Sequence, residues 1–493
     1  MDPITPALDL ALQLPAAGSR RVQRELHQQL RSAIVGGRLQ PGLRLPSTRE
    51  LASALGLSRN TVVTAYDQLL AEGYVSAHGR SGTVITDFLS RPAAAERSRA
   101  QAGGEARLNA AWRRSAALIP TATRQGCRFD FAVGLPDLTS FPFAVWRRLE
   151  ARALRAVSRS QPSYGEPEGR RALREAIAGH ISFARAIACT ANEIVVTAGA
   201  QQAFDLLARI LVTPGKTTVA VEEPGYVPLR NVLVAAGARI VPIPVDAEGL
   251  RVDRLPREAK LVFVTPSHQF PLGVHLSLAR RRALLDFAQA RAAVIVEDDY
   301  DGEFRYAGKP LDALQTLDRH GSVFYVGTFS KSLFPAMRLG FVIAPPWARA
   351  ALAAAKQLSD WHAPLMLQDT LAAFIAEGHL ARHVRKMRRI YGERREVLEA
   401  NLARFCGGGV RIAGIGAGLH LAAELDPSIP TAGLIDRARE SSVALDPMQR
   451  FALRGRPTPG LVFGYGVIDA AEIPEAVRLL ARSMRQPRAR GAG

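Results

Sequence analysis

Lysine is nearly absent from this chain of 493 residues: of 64 lysines and arginines, only six are lysine. Cysteine is equally scarce, with Cys127, Cys189 and Cys406 scattered and in no CxxC spacing. That excludes a disulfide framework and a zinc ribbon, and it fits a reducing compartment. No metal site is expected. No apolar run approaches the ~20 residues of a membrane span. The best run, Leu211–Val221, is broken by Pro214, Gly215 and Lys216. Met1-Asp2-Pro3-Ile4 opens without a basic segment followed by an apolar one, so no signal peptide is expected. The expected location is the cytoplasm, away from any membrane. Acids are also short: 45 of them leave a net charge of +19. Such an excess suits a nucleic-acid partner, although arginine spread along a whole chain also arises from composition alone.

What is present begins with a helical region. Residues 1–19 hold Pro3, Pro6, Pro15 and Gly18 and form a lead-in. Val22, Leu26, Leu30 and Ile34 then recur about one turn apart, and Gly36-Gly37 ends that helix. Ser47 is placed to cap a second helix, with Glu50 three residues on completing a capping box. Ser58 caps a third helix carrying Val62, Val63, Tyr66, Leu69 and Leu70. Tyr74–Ser76 and Thr83–Thr86 alternate like strands around the basic, glycine-rich turn 77–82. Three helices and a hairpin over 20–87 make a winged helix-turn-helix. Its recognition helix would present Ser58, Arg59, Asn60 and Thr61 to a major groove, since Arg and Asn suit base edges and a helix N-terminus suits phosphate. Arg49, His78, Gly79 and Arg80 would hold the flanking DNA backbone. A small helical docking domain is the alternative, and the basic hairpin argues against it.

Residues 88–127 are rich in Ala, Arg, Gly and Ser and are expected to form a flexible basic linker. From 128 to 493 short apolar runs alternate with helical patterns, which argues for an α/β domain with a mostly parallel sheet. The expected strands are Ile194–Thr197, Thr218–Val221, Arg239–Val241, Leu261–Val264, Val294–Glu297, Val323–Val326 and Gly340–Ile343. A smaller α+β portion follows at the C-terminal end, with strands near Leu419–Ala423 and Leu461–Gly464.

Ligands bind such sheets at the carboxyl ends of the strands. One of the six lysines, Lys331, falls there in Gly327-Thr328-Phe329-Ser330-Lys331, with Arg338 seven positions on. A lysine amine can form a Schiff base, which guanidinium cannot. Thr328, Ser330 and Arg338 can serve a phosphate. Thr197-Ala198-Gly199-Ala200-Gln201 turns from strand to helix and offers free N–H groups. Tyr226 follows a Pro-Gly turn and can stack on a ring. Asp298, beyond Val294-Ile295-Val296, can hold a pyridine nitrogen protonated, and Tyr300 can bond a phenolic oxygen. Taken singly, each has an ordinary reading: surface lysine, solvated acid, core tyrosine. Together they would set a lysine aldimine beside a phosphate cradle, which is what pyridoxal 5'-phosphate (PLP) needs.

Two resemblances follow from these residues. Leu45–Ala52 and Leu57–Val62 resemble the GntR family of bacterial transcription regulators. Thr265–Gly273, Glu297–Tyr306 and Gly327–Gly340 resemble the fold type I aminotransferases. The whole chain thus looks like the MocR subfamily of GntR regulators, most like its pyridoxine-biosynthesis branch. The resemblance implies that Lys331 forms an internal aldimine with PLP. Asp298 would pair with the pyridine nitrogen, Tyr300 with the ring oxygen, and Tyr226 would stack. Ala200, Gln201, Thr328 and Arg338 would hold the phosphate. It also implies a homodimer on a double-stranded operator, with PLP itself or an amine or amino acid as effector, and control of vitamin B6, amino-acid or amine genes. A working aminotransferase fused to a DNA-binding domain is the alternative. Against it, Phe270 stands where aminotransferases carry an asparagine, and Val462 where they carry a carboxylate-binding arginine; Arg454 or Arg456 would have to substitute.

Overall fold

The computed structural model describes residues 12, 14–15, 21–77, 82–86, 112, 126–159, 163–306, 312–414, 416–429, 431–453 and 459–485. The wing tip with His78, Gly79 and Arg80, the pair Arg454 and Arg456, and nearly all of the expected linker lie outside them. The chain forms two compact units, Met1–Asn109 and Ala110–Gly493.

The first unit holds helices α1 (Val22–Val35), α2 (Thr48–Leu55) and α3 (Arg59–Ala71) and the hairpin strands β1 (Val75–Ala77) and β2 (Thr83–Ile85). Leu26, Leu30, Leu51, Val62, Ala65, Leu69 and Ile85 form its core. Ser47 and Glu50 make the expected reciprocal cap at the start of α2. The Ser58 hydroxyl accepts from the Thr61 N–H at the start of α3. Gly56, in the left-handed region at φ +63°, ends α2 and sets the turn between them. One element escaped the sequence reading: Leu43–Leu45 runs along β2, with Leu45 N–H donating to Thr83 O and Ile85 N–H to Leu43 O. The hairpin is therefore braced on its far side, through backbone bonds that side-chain alternation does not report.

The second unit is built on an eight-stranded sheet. In chain order, β3 (Phe129–Asp130) precedes it, and the sheet takes β4 (Ile194–Thr197), β5 (Thr218–Glu223), β6 (Arg239–Asp246), β7 (Gly249–Leu250), β8 (Ala259–Val264), β9 (Val294–Asp299), β10 (Val323–Thr328) and β11 (Gly340–Ile343). Their spatial order is β4-β11-β10-β9-β8-β5-β6-β7. The ladders joining β10, β9, β8, β5 and β6 are all parallel. β11 runs antiparallel between β10 and β4. Buried apolar residues such as Phe204, Leu207, Val219 and Leu352 cover one face, and Val262, Leu284 and Ile295 belong to a second cluster on the sheet. Near-continuous apolar runs are what a sheet buried on both faces demands. A four-stranded antiparallel sheet follows: β12 (Val410–Ala413), β13 (His420–Leu425), β15 (Asp446–Pro447) and β16 (Gly460–Gly464), with β14 (Val443–Ala444) pairing instead with β3. No described helix is long and apolar enough to cross a membrane.

Candidate functional site

The carboxyl ends of β4, β5, β9 and β10 converge on a cavity of about 680 Å³ in the second unit. All eight sequence-selected residues, Ala200, Gln201, Tyr226, Asp298, Tyr300, Thr328, Lys331 and Arg338, line it. Each lies at the carboxyl end of a strand or in the segment that follows it, which is why residues so distant in sequence meet.

Lys331 is nearly buried, and its Nζ donates to the Gly134 carbonyl at 2.5 Å. Burial lowers the proton affinity of its amine, opposed by the carboxylates of Asp301 and Asp298. Asp298 is held well above the ordinary carboxylate range by burial and by the neighbouring Asp299, Asp301 and Glu222. Its Oδ1 is buried with no hydrogen-bond partner among the described residues. Asp299, by contrast, is neutralised: Arg185 Nε and the Tyr325 hydroxyl each donate to its Oδ2 at 2.6 Å. That ion pair anchors the end of β9 and so fixes where Asp298 points.

At the opposite end, Gly199 leaves β4 with φ +77° and opens the helix Ala200–Leu211. Arg338 donates to the Ala198 carbonyl at 2.8 Å, and a Cβ on Gly199 would lie 2.9 Å from its guanidinium. The Thr328 and Ser330 hydroxyls are 3.1 Å apart beside it. Helix N–H groups, a guanidinium and two hydroxyls make an anion cradle. Tyr226 meets Phe270 edge to face at 5.6 Å.

The cavity fits PLP on this chain's own features. The orphaned carboxyl of Asp298 matches a protonated pyridine nitrogen, the cradle matches a phosphate, and the Lys331 amine lines the same cavity.

Several residues were missed by sequence reasoning. Asp301 and His420 line the cavity. His268, in the turn after β8, is 3% exposed and lies outside the lining, with Nδ1 3.0 Å from Asp301 Oδ2. Donor atoms of His268, Asp301 and His420 fall within 4.8 Å of one another. Tyr300 does not direct its proton into the cavity here: its hydroxyl donates to the His268 carbonyl at 2.9 Å. Val462 is fully buried among Phe270, Ala422, Met448 and Phe451. The position given to a substrate clamp is thus apolar core. Arg450, paired with Asp446 at 2.5 Å, is a cationic side chain of the wall that no motif flagged. Only the folding of β15 onto β16 brings it there.

In the first unit, Ser58, Arg59 and Asn60 are exposed and Thr61 is half-buried at the start of α3, and Arg49 is exposed in the first turn of α2.

Residues 22–85 match the family of bacterial regulatory proteins, gntR family, and residues 129–456 match aminotransferase class I and II. The probable rhizopine catabolism regulatory protein MocR of Rhizobium meliloti is 37% identical over 460 residues, 93% of each chain. The chain belongs to the MocR subfamily of GntR-family regulators. It is a transcriptional regulator with an aminotransferase-like domain. Among its relatives is the pyridoxine biosynthesis transcriptional regulator PdxR of Corynebacterium glutamicum, 31% identical over 480 residues, 96% of this chain and 99% of that one. The second unit of the regulator is similar to Pyrococcus horikoshii kynurenine aminotransferase, solved in complex with PMP: TM-score 0.70, 27% identity, covering 78% of this chain and 98% of that one.

Proposed function

We propose that this regulator binds PLP through Lys331 and uses it as, or with, the effector that controls DNA binding. The observation that carries the reading is Asp298. A buried carboxyl among Glu222, Asp299 and Asp301, with an oxygen left unpaired, is a costly arrangement unless a cation arrives. A protonated pyridine nitrogen is such a cation. When bound, PLP supplies an aldehyde that condenses with a primary amine. The protein's part is to bind and orient. The cradle of Ala200, Gln201, Thr328 and Arg338 takes the phosphate, Tyr226 lies against the ring, and Asp298 holds the pyridine proton. Burial of Lys331 favours its free amine, the form that can attack.

The reading as a regulator, rather than an aminotransferase, is supported by the apolar surroundings of Val462. A carboxylate clamp lost there costs substrate binding on the order of a few kcal/mol. Arg49, Ser58, Arg59, Asn60 and Thr61 would contact the operator, with the wing at His78, Gly79 and Arg80 on the backbone. The regulated genes would concern vitamin B6 or amino-acid or amine metabolism, in keeping with the likeness to the pyridoxine biosynthesis regulator PdxR. Two copies of the chain would present two DNA-reading heads.

The test is operator affinity with and without PLP, for the native chain and for Lys331→Ala. A PLP-dependent change of five-fold or more, about 1 kcal/mol, is expected for the native chain and should vanish in the variant. Equal affinities throughout would sink the coupling.

A further inference from the structure

We infer that His268 is a positioning residue: acting through the Tyr300 hydroxyl, it sets the proton affinity of the imine formed at Lys331. The inference rests on the PLP reading above.

Phe270 puts a phenyl edge where a hydrogen-bond donor would help a phenolic ring oxygen, so that task falls to Tyr300. Burial, then the carboxylates of Asp301, Asp298, Glu222 and Asp299, hold the Tyr300 hydroxyl protonated far beyond the ordinary tyrosine range. It therefore stays a donor at any working pH. Its oxygen lies 3.1 Å from His268 Nδ1, and the same Nδ1 lies 3.0 and 3.2 Å from the two Asp301 oxygens. A carboxylate only accepts, so Nδ1 carries the hydrogen and shares it between Asp301 and Tyr300. A hydroxyl that accepts such a bond is polarised into a stronger donor.

The arrangement is rigid. Gly418 sits at φ +73°, and a Cβ there would lie 2.1 Å from His268 Cε1 and 2.4 Å from Asp301 Oδ2. The imidazole is held on its other side by the His420 ring, 4.6 Å between centroids. His420 donates from Nε2 to the Pro271 carbonyl at 3.1 Å. Burial drives its proton affinity far below the ordinary value, aided by His268, Arg395 and Lys331, so it stays neutral. The moving part left is the Tyr300 hydroxyl hydrogen, which can turn from the His268 carbonyl to an incoming phenolate.

A donor on that phenolate draws off negative charge that would otherwise retain the imine proton. It therefore lowers the imine pKa. Asp301 and Asp298 act on the Lys331 nitrogen in the opposite sense, and Arg338 in the same sense. His268 touches neither the nitrogen nor the cavity lining, so its influence passes through the groups its Nδ1 meets, Tyr300 or Asp301, and the double variant below separates the two routes.

The experiment is a pH titration of the visible imine band of the full-length chain loaded with PLP. Tyr300→Phe should raise the imine pKa by about one unit, a tenfold change. His268→Leu should raise it by less, and the double variant should match Tyr300→Phe alone. His268→Asn, whose amide nitrogen overlays Nδ1, should return the pKa toward native. Should His268→Leu not fold, His268→Met makes the same comparison. His268→Leu (or His268→Met) titrating with the native chain, or with a shift that adds in full to that of Tyr300→Phe, overturns the inference. Absence of any imine band in the native chain overturns the PLP reading instead, and this inference with it.

Discussion

Glu222 illustrates how much a single buried residue can report. It sits at the end of β5, fully enclosed, accepting from the Thr265 hydroxyl at 2.5 Å. Burial pushes its carboxyl up from 4.5 to about 7, only partly offset by Thr265 and Gln269. The folded state thus holds the proton more tightly than the unfolded chain does. The stability this contributes is complete below pH 4.5 and is lost as pH rises through about 7. Glu222→Gln keeps the shape and cannot ionise. Its melting temperature should exceed that of the native protein by clearly more at pH 8 than at pH 5. A difference independent of pH would show that Glu222 does not titrate in this range.

Among elements, α3 carries the DNA prediction. Its cap is made by Ser58 and Thr61, so Arg59 can be shortened without unravelling the helix. Arg59→Ala should cost ~1–3 kcal/mol at one base pair and relax the preference there. Competition binding to operators varied position by position would read this; unchanged discrimination would remove Arg59 from base contact. The same helix shows why much of the fold was legible. Capping serines, left-handed glycines and apolar spacing are local signals, and they located α1, α2 and α3 and the strands of the large sheet to within a few residues, except β7, which went unread, and β6, which runs on from the expected Val241 to Asp246. The eight cavity residues were legible because each sits at the carboxyl end of a strand or in the segment after it, where position alone implies convergence. Arg450, Asp301 and His268 were not, because their roles depend on β15 lying along β16 and on an imidazole packed against Gly418. The contact of His268 with Gly418 joins segments far apart in sequence, and neither it nor the pairing of β15 with β16 leaves a periodic trace.

For the whole molecule, association is the next question. Leu358 is 86% exposed and Tyr164 is 74% exposed. Tyr164 lies 4.3 Å from the Trp361 ring, which is itself half exposed. Apolar surface of this kind is costly to leave in water and suits a self-complementary contact. Sedimentation of the native chain at micromolar concentration should give a dimer, and Leu358→Glu combined with Trp361→Glu should shift it toward monomer. A native chain sedimenting as a monomer would refute the pairing. The mooring of Lys331 carries a different consequence. Its acceptor is the peptide carbonyl of Gly134, and a Cβ at Gly134 would stand 2.7 Å from Nζ. Replacing side chains cannot delete a main-chain oxygen. A lineage can therefore shed the groups that once gripped a substrate while its lysine keeps the same berth. The weak point of that inheritance is Gly134 itself, where the smallest possible enlargement, one methyl group, would evict the amine.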